Sequence, residues 1–294
     1  MVTKWLVFSG LFLVSGMLMA QDYTVTMDVS YTTVAVSNQQ YLDVYVPKSK
    51  NNMPCVVWIH GGAWMFGSKT GLSREVGFLL KEDYVIASIG YRLSGEAIFP
   101  AQIYDCKAAI RFLKAHADKY QIDSTRIVVA GSSAGGHLAA LIGTSAGVPE
   151  LEDKSMGNAG ASSSVQAVID LYGPTDFLIM DELPENCVNP QKHLVPNSPE
   201  SLLLGCNIVD CPEKVKQANP ITYISPDDPP FLIFHGKSDC TVTPKSSILL
   251  AQQLQKNDVL ATLNLIPRAG HGGNEFLSDE VKDQIRDFLS RTLK

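Results

Sequence analysis

The chain has 294 residues, 45% apolar and 18% charged, enough to bury one large core or two modest ones. A formal net charge of -6 argues against a nucleic-acid or anionic-membrane partner and fits a protein acting on neutral or weakly charged substrates. There is no internal repeat and no low-complexity linker.

The first twenty residues, MVTKWLVFSGLFLVSGMLMA, carry one early lysine, an apolar run and small residues up to Ala20. That is the pattern of a secretory signal peptide, and the mature chain would start at residue 21. A retained anchor is the competing reading; no later stretch is long enough to span a bilayer. YTVTMDV and YLDVYVP alternate as short, antiparallel strands. CVVWI (55–59) is an apolar run of the kind that both faces of a parallel sheet bury. It ends in His60-Gly61-Gly62-Ala63, where glycine lets backbone N–H groups turn inward, so Gly62 and Ala63 are candidate oxyanion donors. Trp64 follows and suits either a substrate contact or a core anchor.

VIASI (85–89) is the next strand. Residues 102–119 read as a helix with Ile103, Cys106, Ala109, Ile110, Leu113 and Ala117 on one stripe and Lys107, Arg111 and Lys114 off it. IVVA (127–130) then breaks into Gly131-Ser132-Ser133-Ala134-Gly135 before another helical run. G-x-S-x-G on a strand-to-helix turn needs tiny neighbours around a strained central residue, and the helix that follows favours negative charge there. Ser133 is the candidate nucleophile, and Ala134 would supply a further oxyanion N–H. Such a turn can also be a plain helix cap, so the assignment depends on finding a base and an acid elsewhere in the chain.

AVIDLY (167–172) is a strand, and residues 174–230 break the alternation with Pro, Asn and three Cys. They read as an insertion over the C-terminal edge of the sheet, where open α/β folds bind ligands. FLIF (231–234) is followed in a loop by Asp239. Asp170 lies inside a strand, Asp181 lies in the insertion and Asp227 and Asp228 precede a strand, so Asp239 is the candidate acid. A helix over 244–257, the strand TLNLI (262–266), His271 in a loop of small residues and a helix over 279–292 complete the chain. Ser133, Asp239 and His271 thus supply a nucleophile, an acid and a base, each just past a strand. His60, His116, His137, His193 and His235 occupy other settings. The β-α-β-α rhythm implies one α/β domain with a mostly parallel sheet flanked by helices.

The cysteines are 55, 106, 187, 206, 211 and 240. Cys55 and Cys106 sit in apolar periodic segments and suit buried thiols; the others lie in loop-rich sequence. Among fifteen conceivable pairings, Cys206–Cys211 closes a short local loop and leaves Cys187 with Cys240. A zinc site competes, but no CxxC is present.

WIHGGAW, YRLSGEAIFPAQIYDCKAAIRFL, GSSAGGHLAAL, YGPTDF, ANPITYISPDDPPFLIFHGKSD and AGHG together resemble the α/β-hydrolase superfamily, from about residue 40 to the C-terminus. The resemblance is strongest to the hormone-sensitive-lipase-like branch, and within it to bacterial secreted feruloyl and acetyl xylan esterases. Ala63 stands where that branch has a third glycine. The resemblance implies a Ser-His-Asp acyl-enzyme mechanism with no metal or organic cofactor. It implies a small-molecule or polysaccharide-linked ester as substrate, and a secreted or periplasmic location. Rival readings are a general short-chain esterase or lipase, a serine peptidase, and a non-catalytic binding module on the same fold. The insertion is polar and proline-rich rather than a broad apolar lid, which disfavours a lipase. Ser133, Asp239 and His271 are all present, which disfavours a binding module.

Overall fold

The computed structural model describes residues 22–49, 51–185, 187, 188 and 190–294; the segment read as a signal peptide lies outside them. A central sheet carries β1 (Tyr23–Ser30), β2 (Tyr41–Pro47), β3 (Met53–Ile59), β4 (Val85–Ile89), β5 (Ile122–Ser132), β6 (Ala167–Leu171), β7 (Phe231–Gly236) and β8 (Ala261–Ile266) in the order β1-β2-β4-β3-β5-β6-β7-β8. The β1–β2 and β2–β4 pairs are antiparallel and every other pair is parallel.

The apolar runs lack alternation because helices and turns cover both faces of the sheet. In β3, Cys55, Val57 and Ile59 point into one core, and Val56 and Trp58 into the other. The first core packs α1 (Ala101–Ala115), α2 (Ala134–Thr144) and α5 (Pro244–Lys256), and the second packs α6 (Asp279–Thr292). Strand order reverses at β3, which has β4 on one side and β5 on the other, so the C-terminal ends of β3 and β5 flank a switch point.

Several boundaries differ from the sequence reading. β5 starts at Ile122, earlier than the apolar run, because Ile122 pairs with Met53 across a register shift. β6 stops at Leu171, since Tyr172 turns to φ 47°. Helix α1 ends at Ala115, and the chain leaves it through a short turn to Gln121 at φ 59°. Lys107 and Arg111, expected off the buried stripe, are both fully buried. The loop after α2 folds over the outer face of α1. Lys107 Nζ donates to the Ser145 carbonyl at 2.7 Å and Arg111 to the Asp153 carbonyl at 2.7 Å. Glu152 from that loop forms ion pairs with both cations. Burial lowers the Lys107 pKa to about 8 despite Glu152.

Cys187–Cys240 and Cys206–Cys211 are disulfides, and Cys55 and Cys106 are buried free thiols. Residues 174–230 contain α3 (Pro199–Leu204) and α4 (Pro212–Ala218). They are tied to the loop after β7 and to the first turn of α5 by the Cys187–Cys240 bridge, a hydrogen bond from Thr243 Oγ1 to the Glu182 carbonyl at 2.6 Å, a Lys245–Glu182 ion pair at 2.7 Å and a hydrogen bond from Thr175 Oγ1 to the Ser246 carbonyl at 2.9 Å. Among the described residues no helix is long and apolar enough to cross a membrane.

Candidate active site

The β5–α2 corner sets the first side chain. Ser133 has φ 55° and ψ -123°, a sparsely populated region that costs about 1–3 kcal/mol and needs surroundings that over-determine it. Those surroundings leave no room for side chains. A Cβ on Gly131 would lie 2.3 Å from the Gly135 carbonyl oxygen, and one on Gly135 would lie 2.1 Å from the Ile59 carbonyl oxygen. The Ser133 N–H donates to the Leu171 carbonyl at 2.8 Å, which ties the corner to β6.

The loop after β3 packs against this corner. A Cβ on Gly61 would meet the Ser132 carbonyl oxygen at 2.8 Å. Gly62, Ala63 and Trp64 all have positive φ, at 109°, 55° and 56°. The chain therefore reverses within three residues, closed by Met65 and Phe66 N–H groups donating to the Gly62 carbonyl at 3.0 and 2.9 Å. Among the described residues the N–H groups of Gly62, Ala63 and Ala134 have no hydrogen-bond partner. Ala63 and Ala134 line a cavity of about 50 Å³ together with Ser133; Gly62 does not line it. Helix α2 adds its positive N-terminal end at the same point.

His271 joins the corner to the loop after β7. Its Nε2 lies 2.8 Å from Ser133 Oγ and its Nδ1 lies 2.8 Å from Asp239 Oδ2. Asp239 is buried, and its other oxygen accepts the N–H groups of Thr241 at 2.8 Å and Val242 at 3.0 Å. Burial alone would raise its pKa, but hydrogen bonds from His235 and His271 outweigh this and hold the carboxyl well below the usual carboxylate range. The acid is thus a fixed anion. It fixes the imidazole so that Nε2 faces the serine, which is the arrangement for drawing a proton from Oγ.

Two neighbours of this chain were not singled out from the sequence. His235 Nε2 lies 3.2 Å from Asp239 Oδ2 and 3.0 Å from the Val242 carbonyl, and its Nδ1 lies 2.7 Å from Ser247 Oγ. An Nε2 proton serves both acceptors when the Ser247 hydroxyl donates to Nδ1. The HG ending of β7, four residues before the acid, was the available signal. Tyr172, at the end of β6, packs edge-on against the His271 ring at 4.8 Å between centroids. Burial pushes its phenol up to about 12, so it stays neutral.

Trp64 is a core anchor that also borders the cavity. It is 1% exposed, packs edge-on against His137 and Phe177, and lines the cavity. The rival carboxylates lie apart from the imidazole: Asp170 accepts the Gly173 N–H at 2.9 Å, and Asp228 hydrogen-bonds to Ser225. Burial raises the Asp170 carboxyl to about 6. His60 is stacked on Tyr91, and His137 Nε2 donates to the Ala218 carbonyl at 2.7 Å. Burial lowers the His137 pKa to about 4, so it is neutral. Among the described residues no cluster of His, Cys, Asp and Glu could hold a metal ion.

The remaining cavity wall comes from the insertion. His193 and Glu200 are each 2% exposed and joined at 3.0 Å through Nδ1 and Oε1. Burial works against the imidazolium, but Glu200, Asp181 and the Thr241 carbonyl outweigh it and raise the His193 pKa.

A serine on a strained strand-to-helix turn, a His–Asp pair in reach of it and free backbone N–H groups beside it, at the edge of this sheet, are the arrangement of the α/β-hydrolase superfamily and the geometry that nucleophilic acyl transfer needs. The profile of the BD-FAE family matches residues 42–254, and the chain belongs to that family. Esterase LipC of Mycobacterium tuberculosis is 32% identical over 238 residues, which cover 79% of this chain and 57% of LipC. The chain spans about half the length of the curated relatives it matches. Among solved structures, a truncated carbohydrate esterase from gut microbiota is 33% identical with a TM-score of 0.84, covering 93% of this chain and 98% of that one. A bifunctional GH43-CE protein of Bacteroides eggerthii is 34% identical with a TM-score of 0.83, covering 92% of this chain and 35% of that one.

Proposed function

We propose that this protein is a secreted serine carboxylesterase that removes acyl groups, acetyl or feruloyl, from plant polysaccharide. The observation that carries the reading is the unbroken Ser133–His271–Asp239 hydrogen-bond chain, 2.8 Å at each link, beside the free Ala63 and Ala134 N–H groups. Likeness to carbohydrate esterases supports the substrate class. Two disulfides and the N-terminal apolar pattern support export.

Ser133 Oγ attacks the ester carbonyl carbon while its proton passes to His271 Nε2. Asp239 balances the imidazolium, and the oxyanion rests on the N–H groups of Ala63 and Ala134, with Gly62 completing the loop that presents them. Collapse breaks the bond to the alcohol oxygen, which takes the proton from Nε2. Water then attacks the acyl-enzyme with His271 again as base, releasing the acid and Ser133. All groups needed come from the chain itself.

The test is hydrolysis of 4-nitrophenyl acetate, methyl ferulate, acetylated xylan and a proline-containing peptide anilide by the purified protein and by Ser133→Ala. Ester turnover is expected, reduced at least about a thousandfold in the variant. Folded protein that cleaves only the anilide, or nothing, refutes the reading.

A further inference from the structure

The cavity beside Ser133 also bears on which acyl group the site accepts; this step rests on the ester-hydrolase reading. The cavity touches Ser133, Ala63 and Ala134, while neither His271 nor Tyr172 is among its lining residues. The leaving alcohol must take its proton from His271 Nε2, so the alcohol lies on the histidine side and the cavity receives the acyl group. The histidine side is open, with 22% of the His271 side chain exposed, and admits a large alcohol such as a polymer chain.

The acyl side is small. At about 50 Å³ it falls far below the roughly 300–1,000 Å³ of pockets that take larger organic ligands. An apolar cavity of about 150 Å³ takes benzene, so a space about a third of that size suits an acetyl group and not an aromatic ring. The wall is also polar at the roof. His193 and Glu200 hold one another through Nδ1 and Oε1 at 3.0 Å, the Thr241 carbonyl acts on the same imidazole, and Glu200 Oε2 has no hydrogen-bond partner among the described residues. A longer acyl chain would have to push this buried pair apart, breaking the Nδ1–Oε1 hydrogen bond and leaving both polar groups unpaired. The roof cannot easily retreat, because Cys187–Cys240 and the Glu182 contacts bind it to the acid loop.

We propose that His193 and Glu200 are a specificity-determining pair that limits the acyl side to acetyl size, through both the volume they occupy and the buried hydrogen bond that holds them together. The favoured substrate is then an acetyl ester of a bulky alcohol, and feruloyl esters are excluded.

The test is kcat/KM for 4-nitrophenyl acetate, propionate and butyrate and for methyl ferulate, in the wild type and in His193→Ala/Glu200→Ala. In the wild type, kcat/KM is expected to fall at least about tenfold from acetate to butyrate, with methyl ferulate not turned over. The double variant is expected to raise the butyrate-to-acetate ratio at least about tenfold. Equal use of acetate and butyrate by the wild type, or an unchanged ratio in the folded variant, overturns the assignment. Should the alanine pair fail to fold, His193→Leu/Glu200→Leu decides. That variant replaces a buried pair by apolar residues of similar size, a change proteins tolerate. It is expected to raise the propionate-to-acetate ratio, and no change overturns the assignment. Folded wild type that hydrolyses none of the esters refutes the esterase reading instead, a separate result.

Discussion

Removing the Cys187–Cys240 bridge should cost more stability than removing Cys206–Cys211, and only the first change should slow ester hydrolysis. The bridges span sequence separations of 53 and 5. Chain-entropy scaling gives roughly 4 kcal/mol for the longer loop and roughly 2 kcal/mol for the shorter. The functional difference has a separate cause. Cys240 follows Asp239 directly, so the long bridge anchors the acid's loop to the roof of the acyl cavity, whereas Cys206–Cys211 joins the end of α3 to the start of α4. Double Cys→Ala variants would be compared by urea unfolding and by kcat/KM on 4-nitrophenyl acetate. A smaller stability loss for the 187/240 variant than for the 206/211 variant would refute the entropic argument. Undiminished activity in a folded 187/240 variant would show that the backbone N–H groups of Thr241 and Val242 suffice to position Asp239.

His235→Ala removes a hydrogen bond to a buried carboxylate, worth about 2 kcal/mol, so kcat should fall roughly thirtyfold with KM changing less; a loss under about twofold would mean that His235 only fills space. Asp170 supplies a pH signature. Its folded-state pKa is raised to about 6, so the folded protein retains a proton that the unfolded chain releases near pH 4. Stability from this group is therefore full below about pH 4, falls as pH rises to about 6 and is flat above. Across that window Asp170→Asn should gain about 3 kcal/mol on the wild type, read as the pH dependence of the difference in unfolding free energy. A difference that does not change between pH 4 and 6 would refute the assignment.

Much of the molecule could be read without coordinates, and the reason is local. Buried parallel strands need unbroken apolar runs, and β4 matches VIASI residue for residue. A strained serine between strand and helix needs glycines, and their carbonyl-to-Cβ distances show why nothing larger fits at 131 or 135. Positions 133, 239 and 271 stand out because each follows a strand, and strands of one parallel sheet end on one edge. Assigning two thiols to the core leaves three pairings of the loop cysteines, and the one that closes the short 206–211 loop is the one the structure has.

Other features exist only where distant segments meet. Lys107 and Arg111 read as solvent-facing because helical periodicity counts only the residues of one helix. Glu152, more than forty positions away, makes their burial tolerable. His235 ends β7 four residues before Asp239, which hints at nearness, but only the folded loop brings its Nε2 onto the carboxylate. The acyl cavity is the extreme case. Its size depends on how an aperiodic, proline-rich insertion lands on the sheet, and so on the sum of a bridge, an ion pair and side-chain packing. Local propensity and spacing carry no record of that sum. The sequence by itself determined the strand–helix order and the residue types at the sheet's edge; the tertiary structure alone decided how much room they enclose.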